Sequence, residues 1–244
     1  MKRTGSHYRR PEQYATVTSS RDPPRDPTRL LAPLYAAYSL GLFALLGLGV
    51  LVLILPVPWL DARRRMVHRT ARLWLWASGR QLQVHHRENL PEGPCIVVAN
   101  HTSYLDGIVL CAALPPRFGF VIKREMNAVP VAGLLLRRIG SEFVERFNRH
   151  KGGTDARRVL RTAASGHSLV FFPEGTFTEE VGLGKFHTGA FAIAARAACP
   201  VVPAVILGTR RNMPATRILP SIDCAWPSIA RPSAASSSAI RRLA

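Results

Sequence analysis

The sequence predicts an α/β fold: a mostly parallel central sheet flanked by helices, preceded by an N-terminal membrane-embedded helical segment. Three observations predict it. From Pro94 onward, short apolar runs rich in β-branched and aromatic residues alternate with helical stretches, the pattern of successive βα units. From Leu30 to Leu60 no residue carries a charge. Between these regions lies "RRRMVHRTARLWLWASGRQLQV", where Arg is interleaved with Trp and Leu.

Residues 1–29 are rich in Arg, Pro, Ser and Thr without periodic apolar positions, which predicts a disordered basic tail. Residues 30–60 are predicted as a membrane anchor. Leu34 to Leu55 would give about 33 Å of helix, enough to cross the core of a bilayer. The apolar run exceeds a signal-peptide core. Arg flanks it on both sides, so two anchor topologies remain open: a single span, or a re-entrant hairpin bent near Gly47 and Gly49 or at Pro56. Residues 61–84 read as an amphipathic helix, either lying in the headgroup layer with snorkelling Arg or packed on the domain. Residues 85–220 form the α/β domain, and the Ser/Ala-rich residues 221–244 a loose tail.

Within the domain, "CIVVA", "FGFVI", "LVFF" and "VVPAVIL" predict buried strands. "DGIVLCAAL", "PVAGLLLRRI", "TDARRVLRTAA" and "GAFAIAARAA" predict the helices between them, and no internal repeat is evident. The formal net charge of +18 draws polyanions, either nucleic acid or anionic lipid. Aromatic residues and Arg beside an apolar anchor favour lipid. Cys95, Cys111, Cys199 and Cys224 are far apart and unpaired with His, so they read as reduced thiols packed as small hydrophobes, with no metal site.

Three stretches carry chemistry. In "NHTSYLD" a strand ends and His101 is followed five residues later by Asp106. An Asp inside the first turn of the next helix can fold back to Nδ1 and fix the tautomer, so that Nε2 takes a proton from a substrate hydroxyl. The same residues also fit a helix start, Ser103 with Asp106 making a capping box. In "LVFFPEGTFT", Glu174, Gly175 and Thr176 follow a strand. They make either a polar substrate site or a simple turn. In "GSEFVER", Arg146 suits an anion bidentately, and Lys123 after "FGFVI" is a second basic candidate. Each also reads as a solvated cation.

The combination and order of "NHTSYLD", "GSEFVER", "FFPEGT" and "PVVPAVI" resemble the four blocks of the glycerolipid acyltransferase family, whose best-known members are 1-acylglycerol-3-phosphate acyltransferases. The resemblance covers about Pro91 to Gly208 and makes residues 85–220 an acyltransferase domain. It implies that His101 is the general base and Asp106 its orienting partner. Arg146, with Gly140 and Phe143 in its block and Lys123 nearby, would bind an anionic head. Glu174, Gly175 and Thr176 would hold the acceptor, and Pro203 would shape the acyl or acceptor site. It further implies no metal or bound cofactor, with acyl-CoA or acyl carrier protein as the donor substrate. Membrane lipids would be the partners, with no nucleic acid, and the active site would lie at the cytoplasmic face.

Three departures bear on the acceptor and on activity. Phe177 and Thr178 stand where the family continues Arg-Ser, and His187 replaces the Lys of Phe-Lys-x-Gly. With two cations gone, an acceptor carrying less phosphate charge also fits, unless bases such as Lys185 fill in. After the fourth block the chain lacks the further sheet structure usual in the family. Two other functions are weighed against acyl transfer. A hydrolase would use the same pair on water, but no G-x-S-x-G elbow is present. A non-catalytic anionic-lipid or nucleic-acid binder would explain the charge and the anchor but leave the ordered blocks unexplained.

Overall fold

The computed structural model describes residues 28–145, 149–176, 184–213 and 228–230. The basic tail before residue 28, Arg146, Phe177, Thr178 and Cys224 lie outside the described residues. Five parallel strands form the centre: β2 (Ile96–Ala99), β3 (Phe118–Lys123), β4 (Glu142–Val144), β5 (Ser168–Phe171) and β6 (Val201–Leu207). Two short outer strands, β1 (Gln83–Val84) and β7 (Ser228–Ala230), complete the order β1-β7-β6-β2-β5-β3-β4. Strand β7 runs antiparallel to β6. It falls within the stretch expected to be a loose tail. Strand β6 presents unpaired backbone N–H and C=O groups on its outer edge, and a three-residue strand satisfies them there.

The alternation of β2 sends its side chains to two cores. Val97 and Ala99 join Val109, Leu110 and Ala113 of α3 (Leu105–Ala113), together with Val170 and Ile206. Ile96 and Val98 face the other side, against Val159 and Ala163 of α5 (Arg149–Ala164) and Ile193 of α6 (Gly189–Arg196). Burial of each such aliphatic side chain contributes about 1.5–3 kcal/mol. Both faces of the sheet are thus covered, and its strands read as continuous apolar runs. Two short helices, α4 (Ala132–Arg138) and α7 (Thr209–Asn212), complete the domain.

The uncharged segment is one continuous helix, α1 (Thr28–Ile54), uninterrupted at Gly47 and Gly49. The chain reverses over residues 55–59, around Pro56, into α2 (Leu60–Ala77). The two helices pack antiparallel, and polar contacts fasten α1 along its length. The Tyr35 hydroxyl donates to Ser78 O at 2.8 Å, and Trp74 Nε1 donates to Ser39 O at 3.1 Å. At the other end Arg138 of α4 donates to Ile54 O at 3.1 Å, capping carbonyls that lack intrahelical partners. A helix held at both ends in this way lies along the domain rather than projecting from it. Its outer face still exposes Leu34, Leu45, Leu48 and Leu53, with Trp59 and Trp76 nearby in sequence on the hairpin.

Much of the Arg-rich stretch is structural. Arg64, on α2, is 7 % exposed and donates to Ile139 O at 2.9 Å, Arg117 O at 2.8 Å and Gly140 O at 3.4 Å. Burial pulls its guanidinium below the usual arginine range, opposed by the nearby charge of Asp61. Gly119 and Gly140 make room for it: a Cβ on either would lie 3.1 Å from Nη2, and Gly140 also has φ +71°. His68 and Arg72, also on α2, engage the terminal carbonyls of α3 at Cys111 and Ala112. Arg64→Ala is expected to lower stability on the order of 3 kcal/mol, because it leaves buried carbonyls unpaired beside a cavity. Thermal unfolding should show a Tm drop of about 6–12 °C.

Cys95, Cys111 and Cys199 are free thiols. Burial raises Cys95 and pushes Cys111, which borders a cleft between α2 and α3, up to about 12.

Candidate active site

Strand β2 lies between β5 and β6, and the chain crosses to opposite sides of it, so a crevice opens at the strand ends. Asn100 and His101 sit there. The side-chain amide of Asn100 pairs with β6 twice, donating to Ile206 O at 3.0 Å and accepting from Ile206 N at 2.7 Å. This fixes the residue before His101.

Asp106 lies in the first turn of α3 with no exposure, where the helix N-terminus favours a carboxylate. Its Oδ2 accepts from three donors: His101 Nδ1 at 2.9 Å, Thr102 N at 2.6 Å and Ser103 N at 2.9 Å. The last is the returning half of a capping box. Ser103 Oγ accepts from Leu105 N at 3.1 Å rather than from Asp106 N, and itself donates to Met213 O at 2.7 Å. Capping and His–Asp pairing therefore coexist in one loop. With a carboxylate at Nδ1, the imidazole proton sits on Nδ1 and the lone pair on Nε2. The His101 side chain is 19 % exposed, so the ring is reachable while its partner is sealed.

The chain leaving β5 supplies two further contacts. The Phe172 ring stacks on the imidazole, centroids 4.2 Å apart and planes 20° from parallel. Glu174 Oε1 accepts the His101 N–H at 2.8 Å, and Oε2 accepts the Gly184 N–H at 2.7 Å. Gly175 closes the turn through its N–H to Phe172 O at 3.0 Å, with φ +78°, which glycine adopts without a Cβ penalty. Thr176 is exposed beside it, and the His187 N–H donates to Pro173 O at 2.8 Å. Sequence reasoning missed Phe172. Counting in twos along β5 from Val170 places it on the His101 side of the sheet, and that signal was available.

The structure brings His101, Asp106, Glu174, Gly175 and Thr176 to one edge. Lys123 is exposed at the end of β3, opposite Val144 in register. Phe143 is mid-β4, its carbonyl accepting from Arg158. Gly140 lies against Arg64 at the start of that block. Pro203 lines a largely apolar surface cleft with Val97, Ala113 and Val202. The strand leading to Arg146 is braced from α5. Asp155, 1 % exposed, accepts from Arg124 at 2.6 and 2.7 Å, from Glu145 N at 2.9 Å and from Arg158 at 2.9 Å. Burial works to raise its carboxyl, but hydrogen bonds from Arg124 and Glu145 and the two guanidinium charges hold it below the usual aspartate value. Arg158 also donates to Glu142 at 2.8 Å.

A family model described as Acyltransferase matches residues 81–207, more than half of the chain. A chloroplastic 1-acyl-sn-glycerol-3-phosphate acyltransferase of Brassica napus is 34% identical over 157 residues, 62% of this chain and 45% of the relative. A lyso-ornithine lipid O-acyltransferase of Pseudomonas aeruginosa is 34% identical over 200 residues, 76% of this chain and 72% of the relative. The chain spans about half the length of the first curated relatives it matches. The crystal structure of the 1-acyl-sn-glycerophosphate acyltransferase PlsC from Thermotoga maritima superposes with a TM-score of 0.66. It is 22% identical and covers 88% of this chain and 90% of that one, a likeness of fold. The ordered blocks, the His101–Asp106 edge and the matching family model together make this chain a member of the glycerolipid acyltransferase family.

Proposed function

We propose that the protein is a membrane-associated acyltransferase that moves a fatty acyl group from acyl-CoA or acyl carrier protein to the hydroxyl of a lysophospholipid, 1-acylglycerol-3-phosphate first. The observation that carries this is the His101–Asp106 pair at the sheet edge, 2.9 Å apart with Asp106 sealed. Nε2 takes the proton of the acceptor hydroxyl as its oxygen attacks the thioester carbonyl. The C–S bond then breaks and the thiolate recovers the proton from the imidazolium, leaving an ester and a free thiol. Asp106 supports the transient imidazolium throughout. A positioned base contributes about 10²–10⁴-fold, and holding the two reactants together contributes more.

The anionic head is assigned to Arg146 and Lys123, and the apolar cleft beside Val97, on the same face of β2 as His101, suits an acyl chain. The outer face of α1, a helix whose mean hydropathy is 2.4 over Pro33–Ile54, is assigned to the bilayer. Because α1 is pinned along the domain, it would lie in the membrane interface rather than cross alone. The active edge would face the cytoplasm, the compartment in which free thiols stay reduced.

A second acceptor has support of its own. The lyso-ornithine relative aligns over 76% of this chain and 72% of its own length, and this sequence has Phe177 and His187 where the family pattern has cations. A lysolipid with an amino-acid head and no phosphate would fit such a site. A panel of lysophosphatidate, other lysophospholipids and lyso-ornithine lipid in mixed micelles, with acyl-CoA or acyl carrier protein as donor, separates the two. Preference for lysophosphatidate by about tenfold or more in kcat/KM supports the first reading, and the reverse supports the second. Product from none of them would sink both.

A further inference from the structure

We infer that Glu174 is a positioning residue, acting on the reaction through His101 rather than by holding the acceptor. The inference rests on the acyl-transfer reading above and reassigns one residue within it. Both carboxylate oxygens are taken by backbone donors: Oε1 by His101 N at 2.8 Å and Oε2 by Gly184 N at 2.7 Å. A carboxylate engaged this way has its strongest acceptor directions committed to the protein.

The sheet register explains why Glu174 can reach. Val98 lies opposite Phe171 across the parallel β2–β5 pair, so the chains leave the sheet side by side. Three residues further along each, the Glu174 side chain takes the N–H of His101 and continues the pairing beyond the last backbone rung. From the other neighbouring strand, Ile206 holds Asn100. Asp106 fixes the imidazole in its own plane and holds the N–H groups of Thr102 and Ser103 that follow, and Phe172 covers a ring face, but neither holds the N–H of His101 itself. Glu174 does so, and through Gly184 it joins the following segment to the same point. Gly184 is fitted to this arrangement: a Cβ there would lie 2.9 Å from Oε2.

The experiment compares wild type, Glu174→Ala, Glu174→Gln and Gly184→Ala in detergent, with saturation curves for the acceptor. A carboxamide oxygen can serve one N–H, while its NH₂ confronts the other. Both Glu174 variants should therefore lose about 10²-fold in kcat, with acceptor KM within about threefold. Gly184→Ala meets only the flexible end of Glu174, so the fold stands while the carboxylate is pushed aside. It should lower kcat by about tenfold although the charge is still present. This variant decides the matter if Glu174→Ala does not fold. An acceptor KM raised tenfold with kcat retained, or a Gly184→Ala enzyme with wild-type kcat, would overturn the assignment. Hydrogen exchange at the His101 amide gives a readout independent of turnover. It should be about tenfold or more faster in Glu174→Gln than in wild type, and equal rates would overturn the clamp. If wild type transfers no acyl group to any lysolipid, the acyl-transfer reading fails, while the amide exchange still decides the role of Glu174.

Discussion

His101→Ala is expected to lower acyl-transfer turnover by about 10³- to 10⁴-fold while leaving the protein folded and its acceptor KM little changed. The size follows from what the ring does. It is the base at the end of β2, with Asp106 behind it, and no other imidazole is described within this loop. The fold should survive because the side chain is partly exposed and its backbone partners, Glu174 and the Thr102 turn, remain. Initial rates with a matched circular-dichroism spectrum check this. Turnover within about tenfold of wild type would remove His101 as the base.

The Asp106 series separates charge from geometry. In Asp106→Asn, the amide oxygen can occupy the Oδ2 position and keep all three bonds, from Nδ1 and the Thr102 and Ser103 N–H groups. The tautomer is then retained and only the negative charge is lost. The amide NH₂, however, falls where Oδ1 is buried without a hydrogen-bond partner among the described residues. Turnover should fall by about 10²-fold, with a modest loss of stability. Asp106→Ala abandons three donors in a sealed site. It should cost about 10³-fold or more in turnover and on the order of 3 kcal/mol in stability. Rates paired with thermal unfolding distinguish the two. Equal turnover in the Asn and Ala variants would mean that charge alone matters and that the loop geometry does not.

Elements whose signals are local were legible in the sequence. "CIVVA", "FGFVI", "LVFF" and "VVPAVIL" are strands because each is a short apolar run between breakers, and the intervening helices follow the same logic. Strands β1 and β7 were not legible, since two- and three-residue strands exist only through pairing with one another and with the β6 edge. The candidate site divides in the same way. The contact of His101 with Asp106 spans five residues and could be read directly. Glu174 meets His101 across 73 positions and Arg64 meets Ile139 across 75, so sheet order sets the first partner and the packing of α2 on the domain sets the second. That is why a Glu seen as an acceptor ligand turns inward to the protein. It is also why Arg64, in a helix that could be read either as lying in the headgroup layer or as packed on the domain, is one of the buried bolts between α2 and the domain.

Thiol release from an acyl thioester, measured with and without lysolipid in wild type and His101→Ala, tests the central claim most directly. Direct attack by an acceptor hydroxyl activated at His101 predicts rapid release only when wild-type protein and lysolipid are both present, with thiol and esterified product formed one for one. Release at the same rate without lysolipid, or undiminished in His101→Ala, would contradict it.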